Sequence, residues 1–120
     1  MEGRLPGPAS DAVRFAQMHL NGGELDGIRI LSAEATALMQ ETQFSTSGDP
    51  LPWSLGWLIA EDSEHPYVHY DGSVQVGLNN MRVYPNDGPA IVIMGNSSGY
   101  DVQTVTDSAA SVVFSLLAGQ

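Results

Sequence analysis

Three histidines, fourteen carboxylates, and no lysine or cysteine limit the chemistry open to this chain. A metal centre is the first arrangement to test. His65 and His69 are four residues apart, but in an extended segment they share a face while sitting about 13 Å from one another. His19 falls on a separate helix, and no carboxylate shows ligand spacing with these rings. A nucleophile is the second. The sequence has no G-x-S-x-G elbow and, without lysine, no Ser-x-x-Lys pair. Gly22-Gly23 and the Gly95–Gly99 stretch do not follow a phosphate-binding pattern and read as a helix stop and a turn. No metal and no cofactor is therefore expected. Trp53, Trp57, Tyr67, Tyr70, Tyr84 and Tyr100 could line a pocket, although Trp57 sits in an apolar strand and reads as core. What remains is His69 with Gly72. A histidine at a strand start beside a glycine sets a ring that can carry charge and a backbone N–H against a ligand. The plainer reading of His69 is a solvated edge histidine.

The stretch that must position this pair is HYDGSVQVGLNNMRVYPNDGPAIVIMGN, residues 69–96. It reads as two long strands around the turn Pro85-Asn86-Asp87-Gly88. Ala90–Met94 is a continuous apolar run, the pattern of a strand buried on both faces. Upstream, residues 1–9 read as a loop and Ser10 as the cap of a first helix. The stripe of that helix is Ala12, Phe15, Ala16, His19 and Leu20, and Asn21-Gly22-Gly23 stops it. Glu24–Leu31 is a small hairpin or turn on Asp26-Gly27. Ser32 caps a second helix with the stripe Ala35, Leu38 and Met39. Leu55–Ala60 is a strand, Glu61–Pro66 an acidic turn, and Tyr67 onward the next strand. A final helix over residues 102–118 carries Val102, Val105, Ala109, Val112, Val113, Leu116 and Leu117. The expected architecture is α+β: an antiparallel meander of three strands (55–60, 67–84, 90–95), N-terminal helices, and a C-terminal helix packed on one face.

Bulk properties narrow the function classes. The 120 residues form one domain at most, with a formal charge of −10. Four arginines are too few for phosphate contacts, so nucleic acid and anionic membrane surfaces are not expected partners. No run approaches the ~20 apolar residues of a membrane span. The first ten residues lack the apolar core of a signal peptide, and the absence of cysteine leaves the compartment open. A periplasmic or secreted location is expected if a signal lies upstream, and a cytoplasmic one otherwise.

The order of these segments resembles the C-terminal part of the beta-lactamase-related serine hydrolases, which include class C beta-lactamases, penicillin-binding DD-peptidases and family VIII-type esterases. Residues 7–40 resemble the segment before the last strands of that superfamily. Ser54-Leu55-Gly56-Trp57 resembles its Tyr-Gly-Leu-Gly-Trp strand, and His69-Tyr70-Asp71-Gly72-Ser73 its third active-site box, Lys-Thr-Gly or His-x-Gly. Met81–Pro85, Ile91–Asn96 and residues 102–118 resemble the two following strands and the terminal helix. The resemblance implies that His69 supports the substrate and the proton network. It also implies that the backbone N–H after the box glycine, matched by Gly72, completes an oxyanion hole. The pattern departs at Asp71, where the family usually has glycine, and Val74–Gly77 carries an extra residue. The family's Ser-x-x-Lys and Tyr-x-Asn boxes are absent.

The expectation is a single partial domain, residues 1–120, of a hydrolase working by acyl transfer on an ester, amide or beta-lactam. This segment would supply the third box and not the nucleophile, and would be inactive alone. Its reading frame is expected to extend upstream of Met1. Its partners are then that small-molecule substrate and, through an exposed sheet edge, another copy of itself. The rivals are a stand-alone binding or structural domain and an inactive paralogue.

Overall fold

The computed structural model describes residues 6–61 and 63–119. Part of the expected N-terminal loop, and Asp62 of the acidic turn, lie outside them. Helix α1 spans Ala9–Leu20. It starts from Pro8 and not from Ser10: Pro8 is extended (φ −76°, ψ 158°), and its carbonyl accepts from Asp11 and Ala12 N–H at 3.1 and 3.4 Å. Proline fixes its own φ and lacks the N–H that a helix start would leave unpaired, so it begins the helix before Ser10 can cap it. Gly22 and Gly23, both at positive φ, end α1. A Cβ on Gly23 would strike the Leu31 carbonyl, so glycine is required there twice over.

Strands β1 (Glu24–Leu25) and β2 (Ile28–Arg29) form the expected hairpin. Asp26 and Gly27 take φ 51° and 79°, the double positive φ of a type I′ turn. Helix α2 (Ala33–Gln40) is capped as expected, with Ser32 Oγ accepting from Ala35 N–H at 3.0 Å. Its inward face is Thr36 and Met39, while Leu38 is about half exposed.

The main sheet has four strands, not three, in the order β3 (Leu58–Ala60), β4 (Tyr67–Val74), β5 (Gly77–Val83), β6 (Ala90–Met94), all antiparallel. The run expected as one strand over 67–84 folds back at Gln75-Val76, pairing Val74 with Gly77. Gly77 permits a close approach, since a Cβ there would sit 2.5 Å from Gly95 O. Strand β3 begins only at Leu58, because Gly56 at φ 91° turns the chain first. The second turn is where the sequence puts it: Gly88 N–H donates to Tyr84 O at 2.8 Å. Helix α3 runs Val102–Ala118, with Asp101 accepting from Gln103 and Thr104 N–H.

Helices cover both faces of the sheet. On one, Val68 and Val83 pack with Trp57 and with Ala16 of α1. On the other, Tyr84 and Ile91 pack with Ala110 and Phe114 of α3. Full burial of a valine such as Val83 stabilises by about 1.5–3 kcal/mol. Strand β6 carries apolar contacts on both faces, but only Ile91 is fully buried and Met94 is exposed. It is an edge strand in this sheet, and a cleft opens over Val92 and Met94. Helix α3 also departs from expectation. Thr106 and Ala110 are buried, whereas Val105, Val112, Leu116 and Leu117 are exposed.

Candidate functional site

Strand β3 stops opposite His69, so from Tyr70 to Val74 strand β4 has a single partner, β5. Which backbone groups face the open edge follows from the register. Tyr84 N–H donates to Pro89 O, and Gly95 N–H donates to Leu78 O. Residues 78, 80 and 82 therefore turn their backbone toward β6, and 77, 79 and 81 toward β4. Their partners Tyr70 and Gly72 bond to β5. Asp71 and Ser73 direct their N–H groups outward, with no partner among the described residues. Such groups are bonded to water or to a ligand.

Side chains alternate across the same strand. Tyr70 and Gly72 face the α1 side and border a cleft of about 670 Å³. Phe15 of α1, Trp57, Met81 of β5 and Val92 of β6 form its body, with Asn79 and Asp11 on it as polar groups. Nothing in the backbone demands glycine at 72. Its φ is not in the left-handed region, and an added Cβ would meet Asn79 Nδ2 at 3.5 Å, an ordinary contact. What glycine does at this position is leave the cleft wall open.

His69 and Asp71 leave β4 by the opposite face, under α3. His69 Nδ1 lies 3.3 Å from Asp71 Oδ1. That oxygen also accepts from Gln103 Nε2 at 3.0 Å and from Asn80 Nδ2. Gln103 Oε1 in turn accepts from Arg82 Nη2 at 2.8 Å, and Asp107 accepts from Arg82 Nη1 at 2.7 Å. The Arg82 guanidinium lies 4.6 Å over the Tyr67 ring. Burial raises the Tyr67 phenol above its ordinary range, so this ring stays neutral. The two residues singled out from sequence are thus on one strand but on opposite sides of it. The Asp71 carboxylate is held away from the cleft by a polar network that ties β4 and β5 to α3.

Behind the cleft, His19 is buried, with its ring 4.9 Å from Phe15 and 5.1 Å from Trp57. Gln40 Nε2 is 3.3 Å from its Nδ1 and also donates to its carbonyl. With Nδ1 the acceptor, the ring proton sits on Nε2. Desolvation lowers the pKa of this imidazole, and it is neutral. Among the described residues no group of three or more His, Asp and Glu could hold a metal ion, and no helix is long and apolar enough to cross a membrane.

Sequence reasoning named Tyr70 only as one of six aromatic residues that could line a pocket, without pairing it with Gly72, and it missed the open edge. The signal for Tyr70 was present: it stands two residues before Gly72, hence on the same face of a strand. The open edge had none, since it depends on where β3 ends.

No protein-family model matches the chain. Penicillin-binding protein 4 of Amycolatopsis lactamdurans is 33% identical to it over 103 residues, which cover 78% of this chain. The chain spans about a quarter (26%) of the length of that curated relative.

Proposed function

We propose that this chain forms the C-terminal wall of a serine hydrolase of the penicillin-binding and beta-lactamase type, acting by acyl transfer on an ester, amide or beta-lactam. The observation that carries the reading is the open edge of β4 beside the cleft. There the Ser73 N–H, next to Gly72, is an outward donor with no described partner. A carbonyl oxygen seated at this edge gains hydrogen bonds as it becomes an oxyanion, which is worth about 10²–10³ in rate for one well-placed donor. Gly72 and Ser73 are the direct contributors. His69, on the far side of the strand, is a positioning residue acting through Asp71. The nucleophile and its base come from sequence outside this segment, a serine–lysine pair.

Two further features support a partial domain. The outer edge of β6 is unpaired among the described residues, and Val105, Val112 and Leu116 form an exposed apolar face on α3. Unpaired edges and contiguous apolar faces are surfaces that proteins cover. A binding wall without catalysis is the second reading, favoured by the absence of any serine–lysine or serine–histidine motif in the sequence. Translating the DNA upstream of the Met1 codon tests the choice. An in-frame Ser-x-x-Lys followed by Tyr-x-Asn is expected. An in-frame stop directly before Met1, with a ribosome-binding site, would overturn the partial-domain reading.

A further inference from the structure

We infer that the cleft selects a neutral, apolar acyl or aryl group and disfavours a ligand that carries a carboxylate; this deepens, and rests on, the reading of the cleft as a substrate wall. The lining is the first ground. Phe15, Trp57, Tyr70, Met81, Val92 and Met94 present aromatic rings, thioethers and a branched alkyl group. Methionine side chains adapt to irregular apolar shapes, and about 670 Å³ suits a small molecule.

Charge is the second ground. Asp11, in the first turn of α1, is the one charged side chain on the cleft among the described residues. The described arginines are engaged elsewhere, Arg14 with Asp26, Arg29 with Glu24 and Arg82 with Asp107. His19 stands behind Phe15 and Trp57, neutral, and does not line the cleft. An anion entering here loses hydration without gaining a counter-charge, and the field of a chain of net charge −10 opposes it as well. The polar groups that remain, the Asn79 amide and the Tyr70 hydroxyl, are uncharged and suit an ester or amide.

The test compares octanamide with octanoate, which share an alkyl chain and differ in charge at neutral pH. Binding to the 120-residue chain is followed by tryptophan fluorescence in a Trp53→Phe background, so that Trp57 in the cleft reports. Saturable binding of octanamide is expected, with octanoate at least about tenfold weaker. Asp11→Asn should narrow that gap by strengthening octanoate alone, and Gly72→Val should abolish octanamide binding. Octanoate binding as tightly as octanamide would overturn the selectivity while leaving the wall reading intact. If neither probe binds, or if Gly72→Val has no effect, the cleft is not a ligand wall and both readings fall. Asp11→Asn keeps the test valid should Gly72→Val fail to fold.

Discussion

Replacing Gly72 by alanine should raise stability and lower ligand binding, two effects of opposite sign from one methyl group. The stability part follows from geometry. Gly72 lies within strand β4 outside the left-handed region, and the added Cβ meets Asn79 Nδ2 and Cβ at 3.5 and 3.7 Å, neither a clash. Alanine restricts the unfolded chain more than glycine does, which stabilises by about 0.4–1 kcal/mol where the native conformation is compatible. For a chain of this size that is a rise in Tm of about 2–5 °C. The binding part follows from direction, because the methyl projects into the cleft beside Tyr70. Overpacking a well-filled site costs about 1–3 kcal/mol, or roughly fivefold to 150-fold in affinity. Urea denaturation with an unchanged m-value reads the first effect, and titration with octanamide the second. A variant destabilised by more than about 1 kcal/mol would mean that glycine is a folding requirement here. Unchanged affinity would mean that the ligand does not reach this wall.

Other expectations rest on the same structure. Burial holds the His19 imidazole below its ordinary 6.5. The unfolded chain therefore takes up the proton first on acidification, and stability fully present above pH 6.5 is lost as pH falls from there through the lower folded-state pKa. His19→Gln should flatten that slope in urea titrations, and an unchanged slope would remove His19 as its source. Arg82→Met should destabilise by about 1–3 kcal/mol, because two charge-assisted hydrogen bonds and the Tyr67 contact go while much of the packing stays. Asp107→Ala should also cost about 1–3 kcal/mol, since it leaves the Arg82 side chain, only 4% exposed, without its carboxylate; a loss well below about 1 kcal/mol would mean that water replaces the carboxylate at its exposed side. In a complete enzyme, His69→Ala should lower kcat/KM by up to about 10²-fold through misplacement of β4 with the fold intact, and unchanged kcat/KM would make His69 a structural histidine.

Much of the fold is legible in the chain because its turns carry signatures. Asp26-Gly27 supplies two positive φ angles, Gly22-Gly23 stops α1, and Gly88 closes the second turn of the sheet. The hairpin at Gln75-Val76 is silent for the converse reason. Among the described non-glycine residues only Asp26 has a positive φ, so this turn needs neither glycine nor asparagine to form. Missing it hides one strand. The buried side of α3 is hidden differently. Its apolar residues fill two stripes, and the side that packs is chosen by Thr106 and Ala110, small enough for close approach to the sheet. Thr106 reads as polar, yet its hydroxyl donates to Val102 O at 2.8 Å within its own helix and needs no water. At the candidate site, Gly72 is legible as an unusual strand residue. The face on which His69 emerges depends on strand register, and a one-residue shift exchanges every side chain between the faces.

Intact-protein mass spectrometry after fluorophosphonate treatment tests most directly whether this chain is a wall without a nucleophile. It should be run on the 120-residue chain and on the protein encoded by any reading frame found to extend upstream of Met1. No adduct is expected on the short chain, and one is expected on the longer protein, at the serine of an upstream Ser-x-x-Lys. An adduct on any serine between Ser10 and Ser115 would contradict the account, because this segment would then hold its own activated nucleophile.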